Sequence, residues 1–232
     1  MLNADYLKAN FVNPRVMNIL RIIAGVVIIY YIIERALYSW NKEIPALFYF
    51  TVQSNLMLAV YWIIYPVIRK RSTVIVPLIV TTNMVVTGVV FILLLEAGFK
   101  DQLYILLEHD YISSVIHSVA LAASNVTHHL MPVLALLDFL LFADLRFTRI
   151  RRLWRIIIYP VVYLFFHITY SVSSGKYIYP FMDPGFVGGP WIVVLVVIAL
   201  ISAIFGIAVG LTALNRVIQQ AMYRYYSQLL NK

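Results

Sequence analysis

Three polar groups interrupt otherwise apolar stretches of the chain: Thr51-Val52-Gln53-Ser54-Asn55, Asn125-Val126-Thr127-His128-His129, and a lone His167. A hydroxyl and an imidazole within hydrogen-bond reach are the minimal equipment for nucleophilic acyl transfer. The imidazole takes the proton as the hydroxyl attacks a carbonyl, then returns it to the leaving group. Asn55 and Asn125 carry amide donors that suit a developing oxyanion. Thr51, Ser54 and Asn55 are spaced i, i+3, i+4 and so share one helix face. His117, Ser124, His128 and Pro132 fall on one stripe of a second helix, while His129 points about 100° away, which makes His128 the expected base and His129 a supporting group. Pro132 has no N–H to offer the carbonyl of His128, so an acceptor is freed and the helix bends there.

Each feature also has a plainer explanation. Threonine hydroxyls in apolar helices bond back to a carbonyl of the preceding turn, and side chains such as Asn55 and Asn83 glue one helix to another. A buried imidazole resists that explanation, because even neutral it needs partners for a donor and an acceptor. Asp138, close to the end of its stretch, is expected to pair with Arg146 or a neighbouring hydroxyl. No GxSxG, HExxH or P-loop motif is present, and one His-His pair is too few ligands for a membrane di-iron centre, so neither a metal nor a cofactor is expected. Proton coupling remains open, since an imidazole in a polar layer also serves a small transporter or a lipid-binding protein; no inverted repeat favours that alternative.

The elements that must carry these residues are membrane helices. With 232 residues, 62% of them apolar, 12% charged and a mean hydropathy of +0.87, the chain reads as an all-α polytopic membrane protein forming a single domain over residues 1–232. Six apolar stretches, near 16–38, 44–68, 73–96, 112–143, 153–175 and 189–215, match the roughly 20 residues a bilayer crossing needs. The polar segment before the first does not resemble a cleaved signal peptide, so that helix is expected to be retained. Leu103 to Leu107 is apolar but too short to cross and reads as a re-entrant or interfacial turn. The chain has no cysteine, which excludes disulfides and thiolate chemistry.

Basic residues alternate with the loops. Lys8, Arg15, Arg69, Lys70, Arg71, the group Arg146, Arg149, Arg151, Arg152, Arg155, and Arg216, Arg224 and Lys232 fall on one side. Arg35, Lys42, Lys100 and Lys176 fall on the other, among Glu34, Glu43, Glu96, Asp101, Glu108, Asp110 and Asp183. The positive-inside rule then places both termini in the cytoplasm. The net charge of +8 is a topology signal and an attraction to anionic lipid; with no soluble basic domain, nucleic acid is not an expected partner. At about 1.5 Å of rise per residue from the cytoplasmic ends, Thr51, Asn125, His128 and His167 all lie roughly 21–28 Å up, with Thr87 near 22 Å, so the polar residues gather in the outer half of the bilayer.

Phe50-Thr51 with its polar run, the histidine segment ending in Met131-Pro132, and Tyr170 to Gly175 leading into Tyr177-Ile178-Tyr179-Pro180-Phe181-Met182-Asp183 together resemble the androgen-induced-protein family, which includes the androgen-dependent tissue-factor-pathway-inhibitor-regulating protein. Phe50-Thr51-Val52-Gln53-Ser54-Asn55-Leu56 and His128-xxx-Pro132 with Leu137-Asp138 look closer to a bacterial branch, which implies a bacterial cell membrane. The resemblance implies a six-pass, cofactor-free hydrolase of fatty acid esters of hydroxy fatty acids, with Thr51 as nucleophile and His128 as base. The animal histidine aligns one position earlier, at Thr127, so either a one-residue shift places His128 in the role or the site has been rebuilt. The resulting expectation is a lipid or fatty acyl ester substrate entering from the outer leaflet. Asn55 or Asn125 would hold the oxyanion, and His167 or Tyr179 would position the reacting groups. Acyl transfer to a lipid alcohol would use the same residues.

Overall fold

The computed structural model describes residues 13–39, 44–68, 75–109 and 112–230. Lys8, Lys42, Glu43, Arg69, Lys70, Arg71, Asp110 and Lys232, which enter the charge argument above, lie outside the described residues. Among the described residues the regular structure is all helical. Among these residues five helices are long and apolar enough to cross a membrane: Arg15–Leu37, Ile75–Glu108, Ser114–Phe142, Ile150–Ser174 and Pro190–Tyr225. The chain is therefore a multi-pass helical membrane protein.

Helix α1 (Pro14–Ser39) starts where Asn13 caps its first turn, accepting the Arg15 N–H at 3.0 Å, with proline at the first helical position. Arg21, Gly25, Ile28 and Ile32 recur at helical spacing and are buried. Ile19, Ile23, Val26, Tyr30 and Ile33 on the other side are exposed, as a lipid-facing surface requires. Helix α2 (Phe50–Ile68) follows a 3-10 turn at Ala46–Phe48, so the second apolar stretch becomes regular α-helix only at Phe50. It packs on α1 across Gly25, where an added Cβ would lie 2.9 Å from the Ala59 carbonyl. Helix α3 (Ile75–Val90) is buried on nearly every side and forms the centre of the bundle.

A π-helical turn, Phe91–Leu95, joins α3 to α4 (Glu96–Glu108). Leu103 to Leu107, expected to be a re-entrant or interfacial turn, is instead part of this helix. The run Ile75–Glu108 spans 34 residues, about 51 Å at 1.5 Å per residue, and so outruns the hydrocarbon core. Helix α5 (Ser114–Asn125), capped by the Ser113 hydroxyl, passes through a second π-helical turn, Val126–Leu130, into α6 (Met131–Phe142). The turn falls immediately before Pro132, where the regular hydrogen-bond ladder fails. Helix α7 (Arg155–Ser174) ends at Gly175, whose φ of 69° is the left-handed cap that glycine accepts at least cost. A 3-10 turn (Pro180–Met182) and the short α8 (Pro184–Val187) lead into α9 (Pro190–Leu230).

Polar side chains on α9 clamp the α6–α7 connection. Asn215 donates to the carbonyls of Phe139 and Ala143, both at 3.1 Å, and accepts the Leu145 N–H at 3.0 Å. Gln219 donates to the Leu140 carbonyl at 2.7 Å, and Arg216 binds the carbonyls of Leu145 and Thr148. Asp138, expected from sequence to pair with Arg146 or a neighbouring hydroxyl, instead takes the guanidinium of Arg21 from α1, while Arg146 is held by Asp144 at 2.9 Å. A single sequence exposes neighbours along one helix, whereas this partner arrives from a helix more than a hundred residues away.

Candidate functional site

The N-terminus of α2 is pinned by two tyrosines. The Phe50 N–H belongs to the first turn and has no intrahelical acceptor; it donates to Tyr163 Oη at 3.1 Å and to Tyr179 Oη at 3.0 Å. Tyr163 in turn donates to the Phe48 carbonyl at 2.8 Å. Gln53 strengthens the junction, accepting from Tyr159 Oη at 2.8 Å and donating to the Leu47 carbonyl at 2.9 Å. Thr51 is therefore fixed at the positive end of a helix dipole, where negative charge developing on its oxygen is favoured.

Tyr179 reaches this point from the connection after Gly175, which is anchored by the buried side chains of Ile178 and Met182. Its phenol and that of Tyr163 meet at the one N–H of Phe50, and Thr51 is the next residue in the chain. Burial pushes the Tyr179 phenol up to about 12, so it remains a neutral donor at physiological pH. The His167 ring lies parallel to that of Tyr179, with centroids 6.1 Å apart and planes 8° apart. Ser171 lies 3.5 Å from His167 Nδ1, and His167 Nε2 is buried with no hydrogen-bond partner. An unpartnered buried polar group costs about 1–3 kcal/mol, so this nitrogen is left with capacity to accept or donate a proton.

Thr51, His167 and Tyr179 line one pocket, a cavity of about 100 Å³, together with Tyr163 and Thr87. Its remaining walls are apolar and come from α2, α3 and the π-helical turn after it, α7, the Pro180–Met182 turn and α9, including Val90, Phe91, Leu164 and Ile201. A few polar groups set among apolar walls are the usual composition of a small-molecule site.

The other expected site residues lie elsewhere. Asn55, one turn below Thr51, donates to the carbonyls of Thr51 at 2.9 Å and Thr127 at 3.4 Å. His128 is not in the pocket lining: its Nδ1 is held by Ser124 O at 2.9 Å and Thr127 Oγ1 at 3.0 Å, and its ring stacks on Phe91 at 3.8 Å. Phe91 is itself a pocket wall, so His128 backs the wall rather than facing the Thr51 hydroxyl. His129 meets the Glu96 carboxylate at 3.6 Å, and Glu96 also holds Lys100 at 2.6 Å. Asn125 is exposed. Among the described residues no three His, Cys, Asp or Glu side chains group as a metal site.

Sequence reasoning passed over Tyr163, although it precedes His167 by one helical turn and shares its face. No protein-family model, curated protein or solved structure matches the chain. The family resemblance therefore rests on the quoted residues alone.

Proposed function

We propose that this is a six-helix integral membrane hydrolase of acyl esters, with Thr51 as nucleophile and His167 as the base nearest to it in the pocket. One observation carries the reading: a hydroxyl at a helix N-terminus and an imidazole with an unpartnered nitrogen line the same apolar pocket. His167 takes the Thr51 proton as Thr51 attacks the ester carbonyl, and Tyr179, a neutral donor, supports the oxyanion. The apolar walls suit a fatty acyl chain, as in the fatty acid esters of hydroxy fatty acids that the resemblance implies. In this reading α2 is a sixth span, both termini are cytoplasmic, and the pocket opens in the outer half of the bilayer. The exposed Arg149, Arg151, Arg152 and Arg155, at the end of the bundle away from Tyr179, support that orientation.

Labelling of the detergent-solubilised protein with a fluorophosphonate, followed by peptide mapping, tests this directly. The expected adduct is on Thr51 and is lost in His167→Ala but retained in His128→Ala. Loss in His128→Ala alone would return the base role to His128. No adduct on a folded wild-type protein would favour a lipid-binding or transport role for the pocket.

A further inference from the structure

Below Thr51 and Thr87 the polar faces of α2 and α3 continue inward. Ser54 and Asn55 follow Thr51 by three and four residues, and Asn83 precedes Thr87 by four, so these side chains lie one turn, about 5.4 Å, beneath the pocket. Ser54 and Asn83 are 0% exposed, Asn55 2% and Thr87 3%. Ser54 Oγ, Asn55 Oδ1, both amide atoms of Asn83 and Thr87 Oγ1 have no protein partner. Interhelical glue does not account for them, since glue consists of bonds made between helices. The Asn55 amide nitrogen is already spent on two carbonyls, which orients its oxygen.

The set is neutral and mixes donors with acceptors. A cation would meet the Asn83 N–H groups and find no carboxylate; an anion would meet Asn55 Oδ1 and find no cationic side chain. Water both donates and accepts, and buried water characteristically joins two to four such groups.

We propose that this floor is a water site and that its water is the second substrate of the hydrolase. The inference rests on the ester-hydrolysis reading for its catalytic half. After Thr51 has been acylated, the water oxygen attacks the acyl carbonyl carbon while its proton passes to His167 Nε2. The bond from that carbon to Thr51 Oγ1 then breaks, and the proton returns to Thr51, leaving a free fatty acid and the threonine. The pocket walls above are apolar; a water held underneath supplies what the acyl chain would otherwise exclude.

Two measurements on the full-length protein separate the parts. In radiolytic footprinting in ¹⁸O-water, bound water generates radicals locally, so Met84, fully buried beside Asn83, is oxidised in the wild type and several-fold less in Asn83→Leu. An unoxidised Met84 in the folded wild type overturns the water site. With 4-nitrophenyl octanoate as substrate, Asn83→Leu turns over at least tenfold more slowly and accumulates acyl-Thr51 by intact mass. Wild-type turnover without accumulation overturns the catalytic half. If Asn83→Leu does not fold, Thr87→Val is read by the same two criteria. A wild type that is never acylated defeats the hydrolase reading and the water's catalytic role, and leaves the footprint to decide the site.

Discussion

Arg21 on α1 and Asp138 on α6, 117 residues apart, are joined inside the bundle by two hydrogen bonds, from Arg21 Nε at 2.8 Å and Nη2 at 2.6 Å, both to the same carboxylate oxygen. Trp62 of α2 donates to the other oxygen at 3.3 Å, and Phe142 lies under the guanidinium at 4.7 Å. Three helices thus meet on one ion pair. Removing one partner strands a buried charge, at a cost of about 3–5 kcal/mol, whereas replacing both with apolar groups is close to neutral. Arg21→Met is therefore expected to lower the thermal unfolding temperature in detergent sharply, and Arg21→Met with Asp138→Leu to recover most of the loss. A double variant no better than the single would show that the pair holds the helices through geometry rather than charge.

Gly88 sets the approach of α3 to the turn that carries His128. A Cβ there would lie 3.0 Å from the His128 carbonyl and 3.2 Å from Pro132 Cγ, backbone and ring that cannot swing aside. Gly88→Ala is expected to destabilise by about 1–3 kcal/mol. Gly206→Ala on α9, where nothing lies within 4 Å of the new Cβ, is expected to be neutral or mildly stabilising. Equal unfolding temperatures for the two variants would refute the close contact.

The sequence foretold the helical class through the length and apolarity of its stretches, because spans of lipid-facing residues leave a one-dimensional trace. The nearness of Thr51 and His167 was foreseeable in part, from rise per residue and a shared layer, whereas Tyr179 entered only through the resemblance. Which histidine shares a pocket with Thr51 was not foreseeable. His128 and His167 lie at similar heights, and only the azimuth of α5–α6 around its axis, reset by the π-helical turn at Val126–Leu130, decides that Phe91 separates His128 from the pocket. The Arg21–Asp138 pair was hidden for the same reason: helix adjacency is not written in helical periodicity.

Tyr163 and Tyr179 share one donor, the Phe50 N–H, so each insures the other. Tyr163→Phe or Tyr179→Phe alone leaves that N–H one acceptor and should cost about 1 kcal/mol. The double variant orphans it and should cost more than the sum of the two, with a coupling of about 1 kcal/mol in a double-mutant cycle. Additive losses would show that water replaces the phenols at the α2 N-terminus. Labelling of Thr51 should fall more in Tyr179→Phe than in Tyr163→Phe, because Tyr179 is the proposed donor to the oxyanion.

The absence of cysteine makes the topology testable by single cysteines introduced into the full-length chain. Phe147 and Ser173 mark opposite ends of α7 and its preceding loop, and Ser227 lies on the last turns of α9. Arg216 of α9 is bonded to the loop that contains Phe147, which sets the C-terminal part of α9 at that same end. Phe147→Cys and Ser227→Cys should react with a membrane-impermeant maleimide only after the cells are opened, and Ser173→Cys in intact cells. The reversed pattern would place the basic loop outside, against the positive-inside rule, and would move the Thr51 pocket to the cytoplasmic leaflet. There it would draw its ester from inner-leaflet lipid.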